Sequence, residues 1–488
     1  MAHGDAARIR AHLGHPILDG DGHWIESMPV LIDFVREAGG ADMADRYAKS
    51  QARRGDWYEA SIEERQNRRL RRGNWWITTA DTTDFASGML PGYLVERMDD
   101  LGMDYSIIYP TRCLTGNSIP QEDMRRVVCR AYNNMVAEVF APHSKRLTPA
   151  ALVPCFTPDE AIDEIEHAKS IGLKAFSFKG SLPRPIPASA DNGAGASTAG
   201  VPYYVDFLGL DNPYDYDKLW QRCVDLGVAV TFHQGSGWVD RMSYSNGEFN
   251  RVGHAAQAHD PLAKALFLGG VARRFPALTF SFLEGGVAYA VATLSGLIGG
   301  WEKRRYEAMK QHLRPTNIDT VQLRDLIEKY GYEAVRAKGE EAIASLGLHE
   351  LTAREIDSLD DYALLEVSSK QELADLYARN FYFGCEADDA TTSWAFDPRM
   401  PGRLKAMLGS DISHWDVTDF SEVVPEVWEM VEHGLLTEAD LRDFTFANPV
   451  RLHCQMNPDF FKGTIVEEAA QKELAQMGLL APSPEIQA

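Results

Sequence analysis

An aspartate and a histidine stand two positions apart in Ile17-Leu18-Asp19-Gly20-Asp21-Gly22-His23, where a short apolar segment closes. In an extended strand residues i and i+2 leave the same face, so Asp21 and His23 can converge on one cation. Glycines at 20 and 22 suit backbone that lies close to something bulky, whether a ligand or a neighbouring strand. A bare Asp-x-His carries little weight by itself. Its weight comes from three later apolar segments, which deliver His233, Glu284 and Asp411 at their ends. Two imidazoles with carboxylates suit zinc first, with manganese or iron as alternatives, because mixed nitrogen and oxygen donors select weakly among these metals. A divalent ion lowers the pKa of the water it binds, to about 7 in favourable zinc sites, and polarises a substrate oxygen. A nearby group must then accept or return a proton. Glu284 and Asp411 are the candidates, with Asp411 favoured for orienting that water; the plainer role for Glu284 is a salt bridge or a helix cap.

Groups so far apart in the chain meet only if the fold collects them. Apolar strand-like segments end near positions 23, 112, 154, 180, 233, 284, 386 and 411, each followed by helical spacing or an insertion. Several of the intervening helices close at glycines, Gly102, Gly172 and Gly227, where a left-handed cap is wanted. Strands alternating with helices indicate a parallel sheet, and eight of them indicate a closed (β/α)8 TIM barrel in a single domain. A doubly wound open sheet is the alternative, but it leaves ligand-type residues at the first, fifth and last strand ends unexplained. In a barrel the reactive groups come from the C-terminal ends of several strands. On that logic Arg112 and Lys179, closing the second and fourth segments, can hold a substrate carboxylate, Arg112 as a bidentate fork. Lys179 also admits reading as a carboxylated lysine bridging two metals. Glu386, closing the seventh, extends the acidic site or begins a helix turn with Asp388 and Asp389. Trp24, Trp238 and Trp415 can wall a pocket or serve the core. His254 and His259 read as surface or capping histidines rather than ligands.

Three stretches interrupt the rhythm. Residues 45–75 gather Arg53, Arg54, Arg68, Arg69, Arg71 and Arg72 near Trp57, Trp75 and Trp76, either as a lid or as a charged surface helix. Residues 181–215 open with prolines, alanines, glycines and serines, as an inserted loop does. Residues 302–378 are dense in charge with helical apolar spacing, a helical insertion that covers the site mouth, mediates self-association into a homo-oligomer, or fills surface.

Composition sets the limits. With 71 acidic against 49 basic residues the formal charge is −22, so nucleic acid and anionic membranes are poor partners and a small molecule is the expected one. Cys113, Cys129, Cys155, Cys223, Cys385 and Cys454 are scattered without Cys-x-x-Cys spacing, which fits reduced thiols in a cytoplasm. No apolar run of signal-peptide or membrane-spanning character stands out, so a soluble, cytoplasmic protein is expected.

The Asp21-Gly22-His23 opening, Thr231-Phe232-His233-Gln234-Gly235, Phe282-Leu283-Glu284-Gly285-Gly286 and above all Gly409-Ser410-Asp411-Ile412-Ser413-His414-Trp415-Asp416 resemble the amidohydrolase-related family, which includes aminocarboxymuconate-semialdehyde and aromatic-acid decarboxylases. The resemblance spans about residues 15–460. It implies a barrel with a single divalent metal held by Asp21, His23 and His233, and Asp411 as a ligand or water-orienting carboxylate. His414, which matches the terminal signature, would support Asp411 through an imidazole hydrogen bond. This chain departs from the decarboxylase pattern in carrying Glu284 where those relatives usually have histidine, and Asp21 where Glu or His is common. The carboxylate at 284 directs the expectation to a metal-dependent hydrolase of a small organic acid or amide. A non-oxidative decarboxylase of an aromatic or unsaturated acid is the alternative, and a non-catalytic metal-binding barrel the remote one.

Overall fold

Apolar runs rich in aromatic and β-branched residues form eight strands: β1 Leu18–Trp24, β2 Tyr105–Pro110, β3 Leu147–Val153, β4 Ala175–Phe178, β5 Val230–Phe232, β6 Phe280–Phe282, β7 Phe381–Cys385 and β8 Lys405–Leu408. They come from a computed structural model that describes residues 5–52, 56–72, 78–186, 203–235, 242–415 and 417–479. Each strand pairs in parallel with the next in chain order. The Asp411 N–H donates to Asp21 O at 2.9 Å and the His23 N–H to Ile412 O at 2.9 Å, so β1 meets the segment leaving β8 and the ring closes. This is the (β/α)8 barrel that the strand count implied.

Alternation sorts the side chains into two cores. Tyr105, Ile107, Tyr109, Ala150, Ala175, Ala229, Tyr382 and Met407 belong to the packing of the barrel lumen. Phe176, Phe178, Val230, Phe232, Phe280, Phe282, Phe381 and Phe383 belong to the larger core between sheet and helices. In the lumen Tyr109 and Thr231 are joined through their hydroxyls at 2.9 Å, and the Thr231 hydroxyl donates to Phe176 O at 2.6 Å. Tyr109 and Thr231 thus tie part of the floor beneath the strand ends together by hydrogen bonds.

The covering helices follow their sequence signals. Pro158–Ser170 starts in a capping box of Thr157 and Glu160, and Asp217–Leu226 ends at Gly227 with φ 64°. The long helix between β5 and β6 departs from these signals at a proline. The helix runs over His254–Leu268, with Pro261 inside it although proline reads as a helix start, and Val271–Arg274 forms a separate turn after Gly270 at φ 71°.

The expected loop over 181–215 contains an antiparallel hairpin, Leu182–Pro185 against Tyr203–Asp206, tied by the Arg184–Asp206 ion pair at 2.9 Å. The 302–378 stretch is helical as expected, with Tyr306–His312, Thr320–Tyr330, Glu333–Ala337, Gly339–Ala344 and Ala353–Asp357. The described part of 45–75 lies across the segment that follows β5. Trp57 Nε1 donates to Tyr244 O at 2.9 Å, Arg69 to Met242 O at 3.0 Å, Arg71 to Asn250 O at 2.9 Å and Arg72 to Ser245 O at 2.7 Å. Arg53, Arg54, Trp75 and Trp76 lie outside the described residues. No helix among the described residues is long and apolar enough to cross a membrane.

Candidate metal centre

At the C-terminal mouth of the barrel His23, His233, Asp411 and His414 bring one ligand atom each within 4.8 Å of one another, with Asp21 beside the imidazoles of His23 and His233. His23 Nε2 lies 2.9 Å from His233 Nε2 and 3.2 Å from Asp411 Oδ1. Asp21 Oδ1 lies 3.6 Å from His23 Nε2 and 3.5 Å from His233 Nε2. Donors arranged about an ion at roughly 2.0–2.2 Å stand roughly 3.0–3.5 Å from one another, so these separations are those of a coordination shell. The chemistry agrees with the geometry. His23 Nδ1 faces Pro110 O at 3.1 Å, which fixes the proton on Nδ1 and leaves a lone pair on Nε2. Asp21 Oδ1 and both carboxylate oxygens of Asp411 are buried, and none of them meets a donor in hydrogen-bond geometry among the described residues. A lone pair and three oxygens held together in a dry site repel one another unless a cation lies between them. The residues present therefore fit a divalent ion.

Electrostatics point the same way. Burial, then the neighbouring His414, holds His23 down to about 4, and burial with His23 holds His233 well below the usual imidazole range, so both imidazoles favour the neutral form that a metal needs. Burial and the like charges of Asp411 and Glu284 push Asp21 well above the usual carboxylate range. At Asp411 burial favours the neutral acid, but His414 and then His23 outweigh it and hold the carboxyl below its usual range. His414 Nδ1 lies 2.9 Å from Asp411 Oδ1 but outside hydrogen-bond geometry, and its ring stacks on His23 at 3.8 Å between centroids, so it stands as a further member of the cluster.

The backbone is bent to make this arrangement. Glu284, Asp411 and Ser413 take left-handed φ values of 61°, 52° and 71°, a conformation that side-chain-bearing residues avoid unless the surroundings impose it. A bulge between Asp19 and Gly22 shifts the β1 register, after which His23 pairs with Tyr109. The reason for both glycines near Asp21 is spatial: a Cβ on Gly22 would stand 2.5 Å from Asp19 Oδ2 and from Ser106 Oγ, and one on Gly409 would stand 2.9 Å from Asp21 Cβ.

Glu284 Oε2 lies 3.8 Å from His233 Nδ1, and Glu284, Glu386 and Asp411 offer oxygens within 4.8 Å of one another. Lys179 sits half-buried just beyond β4. Arg112 is exposed, and its main-chain N–H donates to the buried Glu26 carboxylate at 2.8 Å. Trp24 is not a pocket wall: it is 6% exposed, donates from Nε1 to Met89 O and packs edge-on against Phe140 in the outer core. The reason is parity, since it is one residue past His23 and so points away from the lumen. Trp238 lies outside the described residues. Trp415 stacks under the Arg251 guanidinium at 4.5 Å.

Two groups escaped the sequence reading. His259, expected at the surface, is fully buried, and its ring Nε2 meets Leu283 O at 2.8 Å, next to Glu284. Asp19 is fully buried and accepts from Ser106 Oγ at 2.6 Å, Ser410 N at 2.8 Å, Ser410 Oγ at 2.8 Å and Asp21 N at 3.1 Å. It pins the residue before Asp411 to β1. Its partners are distant in sequence, so the only local signal was the Asp-x-Asp-x-His spacing itself.

The family model for amidohydrolases matches residues 18–317. No curated protein matches the sequence. Among solved structures, an amidohydrolase of Mycobacterium avium subsp. paratuberculosis K-10 superposes with TM-score 0.52 at 14% identity, covering 90% of this chain and 98% of that one. A dihydroxybenzoic acid decarboxylase of Polaromonas sp. JS666, with bound manganese and the inhibitor 2-nitroresorcinol, superposes with TM-score 0.50 at 14% identity, covering 90% and 97%. At these identities the likeness is one of fold.

Proposed function

Because this chain belongs to the amidohydrolase family, we propose that it is a metal-dependent carboxy-lyase that releases carbon dioxide, without oxidation, from an aromatic or unsaturated carboxylic acid. The observation that carries the reading is the division of labour among the carboxylates: Asp411 is held ionised within the ligand cluster, while Glu284 stands outside it, 3.8 Å from the far nitrogen of His233. The manganese in the decarboxylase that shares this fold supports it, with manganese as well as zinc suited to the donor set.

A divalent ion held by Asp21, His23, His233 and Asp411 would polarise substrate oxygens and offset the surrounding carboxylate charge. The chain's own residues account for the rest. An acid kept below its usual range is a weak proton acceptor, so Asp411 serves as a ligand and orienting group rather than as the base that hydrolysis asks of it. Glu284 hands a proton to the carbon that loses its carboxyl group. The carbon–carbon bond breaks, its electron pair stays on the substrate carbon, the Glu284 proton completes the new C–H bond, and solvent reprotonates Glu284. The packed lumen beneath, where the Tyr109 and Thr231 hydroxyls are joined, bounds the site from below.

Hydrolysis of a C–N, C–O or activated C–C bond is the second reading, favoured by the closeness of Glu284 to Glu386, either of which can take a proton from water. The two separate in one experiment. Purified protein loaded with manganese or zinc is incubated with aromatic carboxylates and with amides while carbon dioxide and ammonia are followed together. Carbon dioxide from the acids supports the proposal; ammonia without carbon dioxide replaces it with the hydrolase.

A further inference from the structure

Lys179 follows β4 directly, and the pairing of Ser177 with Thr231 sets it level with His233 on the lumen side. Among the described residues its ammonium meets neither a carboxylate nor a hydrogen-bond acceptor. Burial pushes it down to about 8, with only the Cys155 thiol acting the other way.

Gln234, on the adjoining strand end, is 2% exposed. Its Oε1 accepts from the Gly180 N–H at 3.0 Å and from Ser181 Oγ at 3.2 Å. A main-chain N–H can only donate, so this contact fixes which end of the amide is oxygen and turns the NH2 group away. That Nε2 is buried with no acceptor among the described residues. A buried donor left unmet costs stability, and this amide is held by the N–H of Gly180, the residue after Lys179. Both deficits are met at once by an anion with two oxygens.

We propose that Lys179 and Gln234 form an anchoring subsite for a carboxylate of the substrate other than the one that reacts, so that the preferred substrate is a dicarboxylate. A planar carboxylate offers one oxygen to each donor. The group that leaves as neutral carbon dioxide is the wrong occupant, because a cation on it stabilises the bound acid more than the transition state and slows its loss. The assignment of the reacting carboxylate rests on the carboxy-lyase reading; the binding of the second does not.

The test is equilibrium binding, by calorimetry, of benzoate, isophthalate and terephthalate to the manganese-loaded protein, to Gln234→Glu and to Lys179→Met. Gln234→Glu keeps the acceptor for Gly180 and Ser181, removes the donor and sets a carboxylate charge against the incoming one, and Lys179→Met removes a half-buried charge; circular dichroism checks the fold of each. At least one dicarboxylate should bind about tenfold tighter than benzoate, and either variant should erase most of that preference while benzoate affinity stays within about twofold. Equal loss for benzoate and dicarboxylates, or no loss for either, overturns the subsite. If the preference and its sensitivity stand but no carbon dioxide is released, the carboxy-lyase reading fails and the subsite remains. Carbon dioxide release with variants that bind like the wild type removes the subsite and leaves the carboxy-lyase standing.

Discussion

Each residue of the cluster has a distinct job, and substitution separates them. His233 supplies a neutral nitrogen to a shell whose other members are held by β1 and β8, so His233→Ala should leave the barrel folded but reduce bound metal to below about a tenth of the wild-type content, measured by elemental analysis; undiminished metal would remove it from the shell. Glu284 is outside the shell, and Glu284→Gln keeps its size and its left-handed backbone while deleting the transferable proton. Metal content should be retained and turnover fall by about 10²-fold or more. An unchanged rate would show that the proton comes from elsewhere.

At the scale of the element, β1 and the turn after β8 act as one piece, bound by two main-chain hydrogen bonds and by Asp19. Asp19→Ala strands the buried Ser410 N–H and frees the loop that carries Asp411. Metal affinity should drop about 10- to 100-fold, as for other residues that orient ligands, with a loss of about 2–3 kcal/mol in urea unfolding. Loss of stability with unaltered metal affinity would make Asp19 a packing residue only. The charged segment over 57–72 was legible as a helix or lid, and its placement against residues 242–250 came only with the structure, through arginines that bond to main-chain carbonyls there.

At the scale of the whole molecule, a base drawn partly out of water makes stability depend on pH. Burial, then Arg451 and Arg379, pushes Lys405 down to about 7, although its Nζ donates to Arg379 O at 2.7 Å. Between that value and the ordinary 10.5 the unfolded chain binds more protons than the folded one, so this lysine makes stability rise with pH across that window. Lys405→Met should therefore raise the melting temperature by roughly 1–3 °C near pH 6, and the gain should shrink as the pH rises towards 10. A gain that does not depend on pH would mean that packing, not charge, is responsible.

The sequence by itself determined the periodicity: eight apolar strands, their intervening helices, and the residue types Asp21, His23, His233, Glu284 and Asp411 at strand ends, which is enough to imply a barrel with a cation at its mouth. Those signals are local, because side-chain alternation and helix capping depend on a few neighbouring positions. What only the tertiary structure decided is how the ends meet. Closure of the ring brings position 411 against position 21, buries Asp19 and His259, turns Trp24 outward, and hangs the Gln234 amide on the N–H of Gly180, next to Lys179. Such contacts join strands that are distant in sequence, and their geometry is set by the stagger of the sheet, which no short stretch of the chain encodes.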